Sequence, residues 1–434
     1  MASKTAKFGG TSLADASQFR KVIGIINADP ERRYVIPSAP GKRHKEDVKV
    51  TDMLLALHAV KDSGEAKALL AAIEERYMEI ARDLGLNLDL SGHFAEIEKR
   101  RTRESVDYCA SRGEFLSGII LAAALGYDFV DPAECIFFGE NGYDDERTYA
   151  AMKERLGRHE RAVIPGFYGA DRQGRIRTFS RGGSDITGAI VARASGASVY
   201  ENWTDVSGFK MADPRIVENA RTIPHVTYRE LRELSYMGAN VLHEDAVFPV
   251  SQANIPINVR NTNKPDNPGT MISQSAEGQN VSAVTGIAGK CGMMVIHIEK
   301  GRMNAEMGFG RRVLTTLENE NLTFEHMPTG IDSLSLVLHE ADVEGRLDRL
   351  LSRISEAVLP DSIEVETQLA LIATVGEGMV SNKGVAAKLF AGLYEAGVNV
   401  RMIDQGSSEM NIIVGVANAD FEKAICAIYH SFNG

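Results

Sequence analysis

Apolar side chains recur at helical spacing just beyond the chain's start. Phe19, Val22, Ile23 and Ile26 share one face, predicting an amphipathic helix directly after the polar stretch KFGGTS at 7 to 12. Downstream, short β-branched runs alternate with helical patterns: YVIPS at 34 to 38, AVIPGFYGA at 162 to 170, ASVYENW at 197 to 203 and IPINVRN at 255 to 261. Such alternation, continuing to about residue 280, implies a mostly parallel sheet covered by helices. TYRELRELSYMG at 227 to 238 reads as a helix with a Thr cap, ending near Gly238. Residues 261 to 280 are rich in Asn, Pro, Gly and Ser, and a linker or domain boundary is expected just after them.

Past residue 285 the pattern repeats at an offset of 76 residues. Ile296 pairs with Ile372, Gly308 with Gly384, Leu317 with Leu393, Phe324 with Val400 and Gly330 with Gly406. Each copy reads as strand, Gly-led helix, strand, turn, strand and helix. In the helix VEGRLDRLLSRISEAV, Leu347, Leu350, Leu351, Ile354 and Val358 share a face. Matches at apolar positions come readily to any two such units, so the two glycine pairs carry most of the case for duplication.

Length and charge narrow the function. A chain of 434 residues exceeds one ordinary core, so two or three domains are expected. Lys plus Arg number 48 against 59 Asp plus Glu, a net charge of -11, which disfavours nucleic acid and anionic membranes as partners. An anionic ligand would then need a local basic site. No run is long and apolar enough to span a bilayer and MASKTAKFGGTS lacks a signal-peptide core, so the expected compartment is the cytoplasm. Cys109, Cys135, Cys291 and Cys426 lie far apart with no C-x-x-C pair and are expected to be reduced, mostly buried thiols.

Three stretches carry candidate chemistry. In KFGGTS, Gly9 and Gly10 would bring backbone N–H groups close to a ligand, the following helix offers its positive end, and Lys7 adds a mobile charge, a combination suited to phosphate. The G-x-x-x-x-G-K-[ST] loop occurs nowhere; GADRQGR at 169 to 175 only approaches it. The bland alternative is a tight turn with a solvated Lys7 and Ser12 capping a helix. SRGGSDITGA at 180 to 189 repeats the design, with Arg181 suited to bidentate contact with a carboxylate or phosphate; Ser184 and Asp185 read equally well as helix caps. In ENWTDVSGFKMADPRIVENA at 201 to 220, Thr204, Asp205, Asp213 and Arg215 lie in a turn-rich segment that would otherwise be a surface loop.

Taken together these stretches resemble the aspartokinases of the amino acid kinase family. The likeness extends over SRGEFLSG at 111 to 118, GFYG at 166 to 169, TDVSGFKMADPR at 204 to 215 and MGANVLH at 237 to 243, in the family's order. It implies an α/β protein: a three-layer α/β/α amino acid kinase domain at 1–280 with a mostly parallel sheet, followed by two α+β ACT-type units (βαββαβ) at 285–365 and 366–434. The chain stops where a fused homoserine dehydrogenase would begin, so a monofunctional enzyme is expected. The implied activity is ATP-dependent phosphorylation of the β-carboxylate of L-aspartate, the first step of lysine, threonine and methionine biosynthesis. Feedback by an amino acid, lysine foremost and threonine as an addition, would act at the ACT units. A homodimer or dimer of dimers is the family's usual assembly.

The same resemblance assigns residues. Lys7 and Asp185 match the catalytic pair, Lys7 contacting phosphate and Asp185 orienting it or the metal-bound phosphates. Ser38, Thr51, Glu114, Phe167, Arg181 and Ser184 match substrate positions, with Arg181 gripping a substrate carboxylate and Glu114 accepting its ammonium. Gly9, Gly10, Thr204, Asp205, Lys210, Asp213, Arg215 and Lys264 join Lys7 at ATP positions, and Mg²⁺ would ride on the phosphates rather than on a protein metal site. Met303, Gly308, Phe309 and Glu325 fall in the effector-binding unit, where Glu325 could meet a lysine side chain; an ordinary solvated role for it is as consistent with the sequence. Two departures from the family pattern stand out: Lys210 follows Phe209 near the adenine positions, and Glu244 replaces a proline in VLHE, where only a helix start should change.

Other signatures fail. His243-Glu244 and His339-Glu340 have Val247 and Val343 where a zinc protease needs its second histidine, and Ile186 occupies the closing glycine of a nucleophile elbow around Ser184. His225 and His326 read as packing or surface residues. Two rival functions persist at this level: another amino acid kinase such as a glutamate 5-kinase, and a sensor with a silent kinase domain.

Overall fold

The computed structural model describes residues 3–433 except 141, 181, 240, 241, 243 and 276–281, and only the backbone of 244–246. Two compact units interleave along the chain. One comprises Met1–Phe209, Thr222–Arg229 and Asn240–Glu277; the other comprises Lys210–Arg221, Glu230–Ala239 and Gly278–Gly434. The crossing near residue 280 is therefore one of several.

In the first unit an eight-stranded sheet runs in the order His225–Thr227, Thr270–Ser273, Ile257–Asn261, Val199–Thr204, Lys4–Phe8, Arg32–Pro37, Ala162–Val163, Asp128–Phe129. Every neighbouring pair is parallel except Ile257–Asn261 with Thr270–Ser273. The Asn- and Pro-rich stretch thus contributes a strand of its own before the chain leaves the unit. The run at 162 to 170 divides: Ala162–Val163 belongs to the large sheet, while Tyr168–Asp171 joins a second sheet of four strands with Gly142–Tyr143, Phe137–Gly139 and Ile176–Thr178. GADRQGR forms the hairpin turn between Tyr168–Asp171 and Ile176–Thr178, with Gly174 at φ 77°, which accounts for its failure as a phosphate loop.

Strand alternation decides what lies where. Ala6, Phe8, Val35 and Trp203 enter a core built with helices Ala16–Asn27, Val50–Ala59, Ser63–Asp83 and Val106–Leu125. Thr5, Lys7, Tyr200 and Asn202 take the opposite face, where Gly183–Ser195 packs against the central strands and against helices Asp145–Leu156 and Glu244–Gln252. Helices on both faces of a mostly parallel sheet make the three layers. Because the central strands are parallel, the loops after Phe8, Pro37 and Thr204 emerge at one edge, the carboxyl ends where such sheets bind ligands.

The second unit is built on an antiparallel sheet of five strands, in the order Ser333–His339, Gly286–Glu299, Ser362–Val375, Asn411–Ala417, Met402–Asp404. Helices Phe309–Asn319 and Val385–Glu395 are offset by 76 residues at both ends, and each opens at a glycine in the left-handed region, Gly308 at φ 76° and Gly384 at φ 85°. The duplication is thus borne by backbone geometry that favours glycine at both helix starts. The repeats also share strands: Gly286–Cys291 pairs with the segment 370–375, while Met293–Glu299 pairs with Ser333–His339. Leu350, Ile354 and Val358 of helix Leu347–Val358 are buried with Ile296, Phe309 and Leu336. All four cysteines are free; Cys109 and Cys135 are buried, Cys426 is half-buried, and Cys291 is exposed, against expectation.

Candidate active site

The central strand Lys4–Phe8 delivers Lys7 to the face covered by helix Gly183–Ser195. Lys7 is only 7% exposed, which rules out the solvated alternative. Its Nζ lies 2.5 Å from Asp185 Oδ1. That contact exists because the helix is not capped by a side chain: Gly182, at φ 60°, takes the N-cap position, so the Asp185 carboxylate stays available. Strand register places Asn202 beside Lys7. Asn202 Nδ2 donates to Asp185 Oδ1 at 2.8 Å, and its Oδ1 lies 3.5 Å from Lys7 Nζ. Tyr200 Oη donates to the Asp185 carbonyl at 3.0 Å, across Gly188, where a Cβ would come within 2.5 Å of that hydroxyl. Asn202 thus holds the carboxylate against the buried ammonium, while Tyr200 holds the backbone from which it projects.

The glycines after Phe8 differ in role. Gly9 N–H donates to Trp203 O at 3.0 Å, so it is engaged inside the protein and does not face a ligand as expected. Gly10 opens the short 3₁₀ turn Gly10–Leu13, whose first N–H groups have no partner within the turn. No side chain fits at Gly10: a Cβ would sit 2.9 Å from Ala39 O. Ser12 does not cap the following helix either. Asp15 does so by accepting from Gln18 N, while Ser12 Oγ meets Thr262 Oγ1 at 2.8 Å.

On the substrate side, Ser38 N–H donates to Phe8 O at 3.1 Å and Thr51 sits in the first turn of Val50–Ala59. Helix Val106–Leu125 is buried along most of its length and brings Glu114 inward, 5% exposed. Glu114 Oε2 is buried with no hydrogen-bond partner. Burial pushes the Glu114 carboxyl up to about 8, against smaller opposing effects of the Ala39 and Glu114 N–H groups and of Arg112. A carboxyl so placed stays mostly protonated at neutral pH until a cation joins it. Phe167 is held at φ 81°, a conformation rare for an aromatic residue, with its N–H donated to Thr187 Oγ1 and its ring against Gly183. Ser184 is buried against Gly166, where a Cβ would lie 2.6 Å from Ser184 Oγ. Arg181 lies outside the described residues.

For the nucleotide positions, Thr204 ends the central strand Val199–Thr204, and its hydroxyl reaches Asp205 Oδ1 at 3.2 Å. Asn261 Nδ2 donates to Asp205 O and to Ser207 Oγ, closing that turn. Lys264 is exposed in the turn after Ile257–Asn261. Lys210, Asp213 and Arg215 belong to the second unit. There Arg215 clasps Asp213 in an exposed turn, Nη2 to Oδ2 at 2.5 Å, and holds its carboxyl below the usual range. Helix Glu244–Gln252 begins at Glu244.

Of the positions that the resemblance assigns to an effector, Met303 and Phe309 are buried in the core of the first repeat, and Gly308 serves as the helix start. Glu325 is neither solvated nor vacant. Lys290 Nζ lies 2.7 Å from its Oε2, His339 Nε2 3.3 Å from Oε1, and the Tyr236 hydroxyl donates to it while the Tyr236 ring lies 4.3 Å from Lys290 Nζ. Burial works to raise the Glu325 carboxyl, but the bonds from Lys290 and Tyr236 outweigh it and hold it below the ordinary value.

Sequence reasoning missed Asn202, Tyr200 and the loop around Gly41. The signal for the first was available: Asn202 is a polar residue on the inward-facing period of ASVYENW, in a run otherwise read as a covered strand. Among the described residues no three His, Cys, Asp or Glu side chains converge as a metal site, and no helix is long and apolar enough to cross a membrane.

Comparison with known proteins places these features. Residues 6–261 match the amino acid kinase family and residues 372–432 match the ACT domain. The chain is 39% identical to aspartokinase 3 of Bacillus subtilis, over 99% of this chain and 98% of that one. A crystal structure of Clostridium acetobutylicum aspartate kinase superposes with a TM-score of 0.92 at 51% identity, covering 99% of this chain and all of that one. Escherichia coli aspartokinase III, in complex with aspartate and ADP in its R-state, gives 0.75 at 26% identity, with both chains covered completely. The same enzyme with lysine and aspartate, in its T-state, gives 0.72 at the same identity and coverage.

Proposed function

Since the chain belongs to the aspartokinases of the amino acid kinase family and phosphorylates aspartate with ATP, we propose that Glu114 receives the substrate ammonium and that Lys7, held by Asp185 and Asn202, receives the transferring phosphate. The observation that carries this reading is the buried Glu114 carboxyl with one oxygen lacking any partner. A buried carboxyl pushed up to about 8 is poor at holding an empty site but well suited to an ammonium, which ionises it and fills the missing bond. Arg181 would take the α-carboxylate at the substrate's other pole.

Two polyanions must meet for transfer, so positive charge has to be gathered where attack occurs. Lys7 supplies it from a rigid strand, and the N–H groups opening the Gly10 turn add oriented donors. Asp185 fixes the direction of the ammonium. The nucleophile is a carboxylate already ionised at neutral pH, so the protein provides position and charge rather than a general base. Mg²⁺ would neutralise the phosphates between which the bond breaks, riding on the nucleotide. Thr204, Asp205 and Lys264 are assigned to ATP, and Ser38, Thr51, Phe167 and Ser184 to the substrate.

Regulation is proposed to follow the tail: lysine, with threonine as an added effector, binds at the unit carrying Glu325, within a homodimer or dimer of dimers. The enzyme would act in the cytoplasm at the head of lysine, threonine and methionine biosynthesis. A hydroxamate assay tests the reading. Purified protein with ATP, Mg²⁺, L-aspartate and hydroxylamine should give aspartyl hydroxamate, none from L-glutamate, and less on adding lysine. Product from glutamate alone would overturn the substrate assignment.

A further inference from the structure

We propose that Arg76 is a positioning residue for phosphoryl transfer, its buried guanidinium locking the Gly10 turn and the Ser38–Val50 loop in register. The proposal rests on the reading of Glu114 as the ammonium acceptor. Arg76 lies on helix Ser63–Asp83, far in sequence from any of the motifs, and is 5% exposed. Nη2 donates to the carbonyls of Ala14, at 3.3 Å, and of Gly41; Nη1 donates to Val48 O at 3.1 Å and lies 3.2 Å from Asp47 Oδ2. Ala14 closes the turn that begins at Gly10, and Gly41, Asp47 and Val48 belong to the loop between Ser38 and Thr51. One side chain therefore ties both segments together.

The two segments meet without side chains between them. Gly41 N–H donates to Gly10 O at 2.8 Å, and a Cβ at Gly41 would lie 2.7 Å from Gly10 C and 2.8 Å from Thr11 N. With contact that close, a small shift of the loop displaces the turn as well. Asp47 balances the buried charge and is itself gripped by Arg43, whose bonds to it chiefly hold its carboxyl well below the usual range. The fork of donors is what the site uses. A lysine presents one ammonium and cannot span carbonyls on two segments.

The loop reaches the substrate end at Ala39, whose Cβ lies 2.7 Å from where a Cβ on Gly113, next to Glu114, would sit, and whose backbone N–H opposes the upward push of burial on that carboxyl. Among the described residues, Arg112 on its own helix, Tyr77 on helix Ser63–Asp83 and Tyr168 on strand Tyr168–Asp171 are the other ionisable groups around that carboxyl. Loosening the loop carries the Ala39 N–H away from that carboxyl and moves Glu114 further up. This gives Arg76 a signature that simple loss of stability lacks.

The experiment measures kcat and KM for aspartate and for ATP from pH 6.5 to 9.5 in the full-length enzyme, for wild type, Arg76→Lys, Gly41→Ala, Arg43→Met and Glu114→Gln, with a melting curve for each. Arg76→Lys is expected to lower kcat/KM for aspartate tenfold or more at pH 7, chiefly through KM, and to move the midpoint of its pH profile up by half a unit or more. Gly41→Ala, which leaves Arg76 intact but lifts the loop, should show the same displacement and decides the matter if Arg76→Lys does not fold. Arg43→Met, which spares the carbonyl bonds, should leave the midpoint in place. An unmoved midpoint in both Arg76→Lys and Gly41→Ala, or an equal shift in Arg43→Met, overturns the proposal. Should Glu114→Gln keep the wild-type KM and profile, the reading of Glu114 fails instead.

Discussion

Glu114 makes the sharpest quantitative demand on the site. Its carboxyl stands at about 8 against an ordinary 4.5, a difference of roughly 3.5 pH units. At about 1.4 kcal/mol per unit, burial favours the neutral form by roughly 5 kcal/mol. In free enzyme at pH 7 only about a tenth of the molecules then carry the ionised form that an ammonium requires. The expected result is that kcat/KM for aspartate rises about tenfold per pH unit up to about 8 and levels above it, falling again once the substrate ammonium is lost. Glu114→Gln removes the titration, leaving a flat and low profile with KM raised by at least two orders of magnitude, the scale of an unmade charged bond in a buried site.

The same group governs stability with the opposite sign. A carboxyl raised in the fold binds its proton more tightly than the unfolded chain does, so its contribution is fully present below about 4.5 and is lost as pH climbs to about 8. The ligand-free wild type should therefore lose up to roughly 1.4 kcal/mol of stability per pH unit over that window relative to Glu114→Gln, and saturating aspartate should return part of it. Denaturant melts at pH 5, 6.5 and 8, with and without aspartate, measure this. A Glu114→Gln enzyme that gains nothing at pH 8, together with a flat wild-type profile from pH 6.5 to 9, would refute the account of Glu114 as a buried neutral acid awaiting a cation.

Asp185→Asn keeps the shape of the site but leaves the Lys7 ammonium buried without its partner; a loss of about 3 kcal/mol or more in stability and a drop in kcat of at least a hundredfold are expected, read by denaturant melts and steady-state kinetics. Wild-type turnover in that variant would dismiss Asp185 from the chemistry. Glu325→Ala should relieve lysine inhibition without altering uninhibited turnover, whereas Lys290→Met, by vacating the carboxylate, should lower the lysine concentration for half inhibition severalfold; an unchanged value in both would remove Glu325 from effector binding. Gly188→Ala drives a methyl into the Tyr200 ring and should cost about 1–3 kcal/mol in thermal melts, with kcat falling as Asp185 is displaced.

How far the sequence discloses this site depends on which side chains act through the backbone. Alternating runs pointed to the parallel sheet, and glycine-led loops pointed to the carboxyl ends of its central strands, because strand period and left-handed turns leave local marks. The choice between Asp185 as cap and Asp185 as partner of Lys7 left no such mark. It was settled by Gly182 adopting φ 60° and taking the cap position itself, a matter of backbone geometry. Likewise Gly9 and Gly10 look alike in sequence, yet one is engaged by Trp203 of a neighbouring strand and the other opens the turn. The interleaving of the two units had no composition shift to betray it, since Lys210–Arg221 and Glu230–Ala239 are ordinary loop and helix segments.

Glu325 shows the same limit from the other direction. Its place in the repeat suggested an acidic residue open to a lysine side chain, and the structure supplies an ammonium from the chain itself, with an aromatic face beneath it. Carboxylate and ring together select a primary ammonium whatever its source. An incoming ammonium and Lys290 thus compete for one carboxylate. A tethered competitor weakens an effector by a constant factor without abolishing it, so the proposed lysine feedback and the internal pair are compatible. The strength of that proposed inhibition would then be a property of residue 290, which neither the glycine turn nor the acidic residue at 325 would have revealed.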